Sequence, residues 1–130
     1  MKQNHIDTLK EESNRTYPIE ACGILLGEKG KERAYVKKII VTSNKLQSTT
    51  RFEISPEDVV DAFTKAQKGE LEFIGFFHSH QGSPSPSSID EKYMKLWGNA
   101  LWVIFSITNN CLTAFQINKG KVEEIIIQVE

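Results

Sequence analysis

The stretch that most constrains this chain is Leu71-Glu-Phe-Ile-Gly-Phe-Phe77, a strongly apolar strand that runs directly into His78-Ser79-His80. Successive side chains of a strand point to opposite faces, so His78 and His80 project to one side and Ser79 faces away. Two imidazoles so placed can share one metal ion. A loop of Gln, Gly, Ser and Pro follows, and a helix then opens near Ser87 or Ser88 with Asp90 and Glu91 in its first turn. A carboxylate there can swing back as a third ligand and leave one tetrahedral position for water, the layout of a catalytic rather than a structural zinc site. The free N–H groups and positive dipole end of that helix favour an ionised carboxylate, and two His with an Asp suit zinc. A lone His at a strand end is usually a surface or core-edge residue; the combination of H-x-H, fitting loop and Ser-x-x-Asp helix start favours a metal site.

Around this segment the chain reads as a sheet with helices packed on it. A weak amphipathic helix from about Asn4 to Thr16, with Ile6 and Leu9 on one side, closes before Pro18. Ala21 to Gly27 has the length of a buried strand, with a hairpin turn at Glu28-Lys-Gly30 into a second strand over Ala34 to Val41. Ser43 to Thr50 is a polar loop and Arg51 to Ile54 a short strand. Ser55, Pro56, Glu57 and Asp58 supply an N-cap, a proline at the first helical position and carboxylates at the dipole's positive end, for a helix running to Lys68 and stopped by Gly69. The helix after the His pair carries Ile89, Tyr93, Leu96 and Trp97 on one face and halts at Gly98. Strands over Leu101 to Ile107 and Leu112 to Asn118 flank Asn109-Asn110, and Lys119-Gly120 turns into a last strand through Val129. Trp97, Trp102, Phe73, Phe76 and Phe77 read as core; Lys37-Lys38 and the acids Glu11, Glu12, Glu123 and Glu124 read as solvated faces.

At 130 residues the chain has the size of one domain, and its net charge of -1 offers no footprint for nucleic acid or anionic lipid. It lacks a signal-like apolar start and a run of about 18 apolar residues, so no membrane partner is expected and cytoplasm is the default location. Cys22 and Cys111 stand far apart, outside any C-x-x-C pair, and read as buried apolar residues rather than a disulfide or a zinc site.

Tyr17-Pro-Ile-Glu-Ala-Cys-Gly-Ile-Leu-Leu-Gly27, then Phe76-Phe-His-Ser-His80 and Pro86-Ser-Ser-Ile-Asp90, resemble in order the three blocks of the JAMM (MPN-plus) zinc metalloprotease signature. The resemblance covers most of the chain. It implies an α/β fold, a curled mixed sheet flanked by helices and layered like the cytidine deaminases. It also implies one catalytic Zn2+ and cleavage of peptide or isopeptide bonds after ubiquitin-like tails. Carried over by position, His78, His80 and Asp90 would be metal ligands, Glu20 the general acid/base and Ser87 an oxyanion-binding residue. One departure stands out: the family has one residue more between its second His and its Ser than the six, Gln81 to Pro86, that precede Ser87. The longer register would assign Ser88 and Glu91 instead. The shorter keeps the proline-serine step and the Asp.

Each role has a plainer counterpart: a structural salt bridge for Glu20, a helix cap for Ser87. Zinc deaminases carry H-x-E with P-C-x-x-C and thermolysin-like proteases carry H-E-x-x-H, and this chain has neither. A non-catalytic scaffold of the same fold is the remaining rival class. The chain looks minimal, like prokaryotic members of the family, which points to a ubiquitin-like or sulfur-carrier protein, or a short peptide, as substrate. Oligomeric state is not legible here.

Overall fold

In the computed structural model, which describes residues 1–30 and 33–129, six strands form one mixed sheet in the order β2-β1-β3-β4-β5-β6. The elements run α1 (Gln3–Thr16), β1 (Cys22–Lys29), β2 (Ala34–Thr42), α2 (Pro56–Lys68), β3 (Glu72–His80), α3 (Ser88–Leu96), β4 (Leu101–Ser106), β5 (Cys111–Asn118) and β6 (Lys121–Ile125). Among the described residues only β3 and β4 pair in parallel, with α3 in the connection between them, as a parallel pair requires. The expected single α/β domain, a sheet with helices on it, is what forms.

Two apolar clusters sandwich the sheet. Leu9 of α1 packs with Leu25, Ile74, Phe77, Val103 and Phe105 on one face. Ala62 and Ala66 of α2 and Met94 of α3 pack with Ile24, Phe76, Trp102 and Ile104 on the other. The two faces switch partners within β3. Leu25 pairs with Gly75 and Leu26 with Phe73, so Ile74 is an unpaired bulge residue. Phe73 and Phe76, three apart, therefore share a face, with ring centroids 5.2 Å apart. The alternation restarted at Phe76 carries His78 and His80 to the face of α2 and α3.

Several sequence expectations change. Arg51 to Ile54 is extended but joins no strand, because its backbone bonds go to the preceding loop, with Lys45 N–H donating to Glu53 O at 2.8 Å. Glu28 and Lys29 remain in β1, beyond which Gly30 N–H donates to Arg33 O. The last strand ends at Ile125, not Val129. On α3 the buried residues are Asp90 and Met94, while Tyr93 and Leu96 face outward; Asp90 and Met94, four apart, share the inward face, which leaves Tyr93 and Leu96 on the outer one. Trp97 is 39% exposed, its ring edge resting on Phe76. Cys22 is buried as expected, but Cys111 at the start of β5 is only half-buried. Lys119 and Gly120 both adopt the left-handed backbone, φ 52° and 78°, of a tight hairpin turn.

Candidate metal centre

His78 and His80 stand at the C-terminal end of β3, where β4 flanks it in parallel and β1 runs antiparallel on the other side. Their Nε2 atoms are 3.0 Å apart. Asp90 Oδ2 lies 3.1 Å from each. For metal–ligand bonds of about 2.0–2.2 Å, a tetrahedral site has ligand–ligand edges of about 3.3–3.6 Å. The three atoms thus form a slightly contracted face of such a site. A small cation at their centre would be a common partner for two imidazole lone pairs and the carboxylate.

The surroundings prepare them for that role. His80 Nδ1 must donate to the carbonyl of Ser83, 2.9 Å away, which leaves its Nε2 lone pair free for the cluster. Phe52 stacks on the His78 ring at 4.6 Å, and His78 is fully buried, so desolvation holds its pKa below the ordinary value despite Asp90. Around His80 burial also opposes the charge, but the Asp90 and Ser83 contacts outweigh it and raise the pKa. Desolvation would raise Asp90 too. Its hydrogen bonds with both histidines and the Ser87 N–H prevail and hold it far below the usual carboxylate range.

Asp90 reaches the cluster through its helix start. Ser87 caps α3: its Oγ accepts from Asp90 N–H at 3.0 Å, while Ser87 N–H donates to Asp90 Oδ2 at 2.9 Å. The capping reading of Ser87 is therefore realised, and its hydroxyl proton remains free to donate elsewhere. Ser88, next along, is exposed, and among the described residues Glu91 makes no hydrogen bond to either histidine.

Glu20 completes the group, with a carboxylate oxygen within 4.8 Å of ligand-type nitrogens of both histidines. Its Oε1 is buried and has no hydrogen-bond partner among the described residues. Burial pushes its pKa up to about 7, partly opposed by His80 and reinforced by Asp90. Among the described residues no ion pair holds it, so the salt-bridge alternative for Glu20 finds no partner among them. Its main chain is held instead. Ser79, the residue facing away between the histidines, accepts from Ala21 N–H through Oγ at 2.8 Å and donates its own N–H to Ala21 O at 3.0 Å. Ser79, Phe52 and the Ser83 carbonyl were not marked by the sequence: none belongs to a ligand pattern, and only the register of β1 on β3 reveals Ser79.

A mixed sheet that gathers two histidines, an ionised Asp and a partnerless carboxylate at one strand end is the framework of a metal-dependent hydrolase. Residues 2–118 match the family described as prokaryotic homologs of the JAB domain, and the chain belongs to that family as a minimal JAMM/MPN member. It is 34% identical over 113 residues to a desampylase of Pyrococcus furiosus, covering 86% of this chain and 77% of that one. It is 25% identical over 114 residues to a desampylase of Haloferax volcanii, covering 87% and 80%. Among solved structures, a protein from Desulfitobacterium hafniense superposes with a TM-score of 0.89 at 24% identity over 99% of this chain and 90% of its own. A JAB1/MPN domain protein from Archaeoglobus fulgidus does so with a TM-score of 0.63 at 20% identity, over 99% and 98%. The chain is thus an enzyme of the metalloprotease type.

Proposed function

We propose that this enzyme is a zinc-dependent isopeptidase that cuts after the C-terminal Gly-Gly of a ubiquitin-like or sulfur-carrier protein. The observation that carries the reading is the 3.0–3.1 Å triangle of His78, His80 and Asp90 beside the unpartnered Glu20. His78, His80 and Asp90 would hold the ion, which when bound supplies Lewis acidity to a water and to the scissile carbonyl. Glu20 takes the proton of the attacking water and passes it to the departing amine. A carboxyl that burial tunes to about 7 serves as base and then as acid in one turnover. The Ser87 hydroxyl donates to the developing oxyanion.

The name desampylase borne by both relatives supports a deconjugating role. So does the segment Arg51 to Ile54: Phe52 lies against His78, and the backbone groups of Phe52 and Ile54 have no partner among the described residues. An extended tail can pair with such an edge, and glycines let its carbonyl approach the cluster closely. The purified zinc-loaded protein should release a protein fused or amine-linked to a ubiquitin-like domain ending in Gly-Gly, and should fail when both glycines are Val. Glu20→Gln should lose roughly 10²–10⁴ in turnover. Equal cleavage of the Val-Val fusion would refute removal of a modifier, and full turnover by Glu20→Gln would refute the acid/base role.

A further inference from the structure

The β1–β2 ladder ends one step short of Glu20. Cys22 pairs with Thr42 in antiparallel register, so continuing that register sets Glu20 opposite Asn44. There the backbone partner is replaced by a side chain. Asn44 is 4% exposed, and its Nδ2 donates to Glu20 O at 3.2 Å, to Arg51 O at 3.0 Å and to Ser48 O at 3.4 Å. Its Oδ1 accepts from Leu46 N–H at 3.1 Å and Glu53 N–H at 3.2 Å. Glu20 N–H, on the same side of the extended chain, donates to Ser48 O at 2.9 Å. One buried amide thus organises the loop that grips both backbone groups of Glu20, with Ser79 gripping Ala21 from the other side.

This matters because, among the described residues, no side chain hydrogen-bonds the buried Glu20 Oε1 to aim the carboxylate. Its direction is set by its own backbone and by packing, so whatever fixes that backbone fixes the distance from carboxylate to metal cluster. We propose that Asn44 is the positioning residue of Glu20. This rests on the acid/base role assigned above. Asn44 has no hydrogen bond to His78, His80 or Asp90 among the described residues, so it acts on the carboxylate and not on ion binding. A displacement on the order of 1 Å at a reacting group costs up to about a hundredfold in rate.

The experiment is a double-mutant cycle in the zinc-loaded full chain, read with the Gly-Gly fusion. Asn44→Ala removes every side-chain hydrogen bond. Asn44→Asp keeps the acceptor for Leu46 and Glu53 but loses the donor to Glu20 O, and serves if the alanine variant does not fold. Expected are one zinc per chain in each variant, turnover reduced about tenfold to a hundredfold in the wild-type background, and little further loss in the Glu20→Gln background. An equal loss in both backgrounds, or unchanged turnover in both variants, overturns the proposal. Amide hydrogen exchange provides an arm independent of activity. The Glu20 N–H should lose at least about tenfold of its protection in the variants while Phe77 and Ile104 keep theirs. Unchanged protection at Glu20 overturns the proposal whether or not the fusion is cleaved, whereas a wild type that cleaves nothing yet shows the exchange result fails only the proposed substrate.

Discussion

Glu20 combines 4% exposure, a partnerless oxygen and a pKa raised by burial to about 7. Such a residue destabilises the metal-free protein when it ionises, because a buried charge without a donor costs more than a neutral acid. In the unfolded chain the carboxyl titrates near its ordinary value of 4.5. Between 4.5 and about 7 the folded state keeps a proton that the unfolded state has released. Unfolding then sheds a proton, so stability falls as pH rises through that window and the loss is complete above it. Glu20→Gln cannot ionise. The melting temperature of the metal-free variant should therefore gain on the wild type as pH goes from 4 to 8, measured by calorimetry; a constant difference would mean that Glu20 is not buried uncharged. Cys22 illustrates the same physics without the function: burial pushes its thiol up to about 11, against a Thr42 contact, which describes an inert packing residue.

At the scale of elements, the β3 bulge and the start of α3 decide where the chemistry lies. Gly75 stands beside the bulge and pairs with Leu101 at the head of β4. A Cβ there would meet Leu101 O at 1.8 Å, a backbone atom that cannot swing away. Gly75→Ala should cost about 1–3 kcal/mol in urea unfolding by forcing β3 and β4 apart. Gly82→Ala, where a Cβ meets nothing within 4 Å, should stay within about 0.5 kcal/mol. Equal costs would show that the β3–β4 approach is not tight. Because β4 continues beside His78 and His80, that variant should also weaken zinc binding.

For the whole molecule, a bound ion would tie the end of β3 to the start of α3 across the loop between them, while two apolar clusters hold the sheet without it. Zinc should therefore raise the melting temperature in proportion to the logarithm of its concentration above saturation, and chelation should leave the far-ultraviolet dichroism close to native. Glu91→Gln should respond to zinc like the wild type. Asp90→Asn should not, since the amide removes the ionised oxygen 3.1 Å from both histidines. A zinc-responsive Asp90→Asn with an unresponsive Glu91→Gln would move the third ligand to Glu91 and the serine role to Ser88.

Local patterning by itself determined most of the elements. Apolar runs bounded by turn residues marked β1 to β5, and Ser55-Pro56 with its following acids marked α2, because caps and short apolar runs are short-range physics. The i, i+2 spacing of His78 and His80 and the Ser-x-x-Asp of the helix start were equally local, which is why the sequence alone could bring those residues together as candidates. Tertiary structure alone decided the rest. The Arg51 to Ile54 segment has strand-like residues, but Arg51 and Glu53 spend their hydrogen bonds on Asn44 and Lys45, so it joins the loop and not the sheet. Tyr93 and Leu96 of α3 face outward because Asp90 and Met94 take the inward side. Asn44, unremarkable in a polar loop, becomes Glu20's neighbour only because β2 pairs with β1 in one particular register, and register is a contact between distant segments that no local pattern encodes.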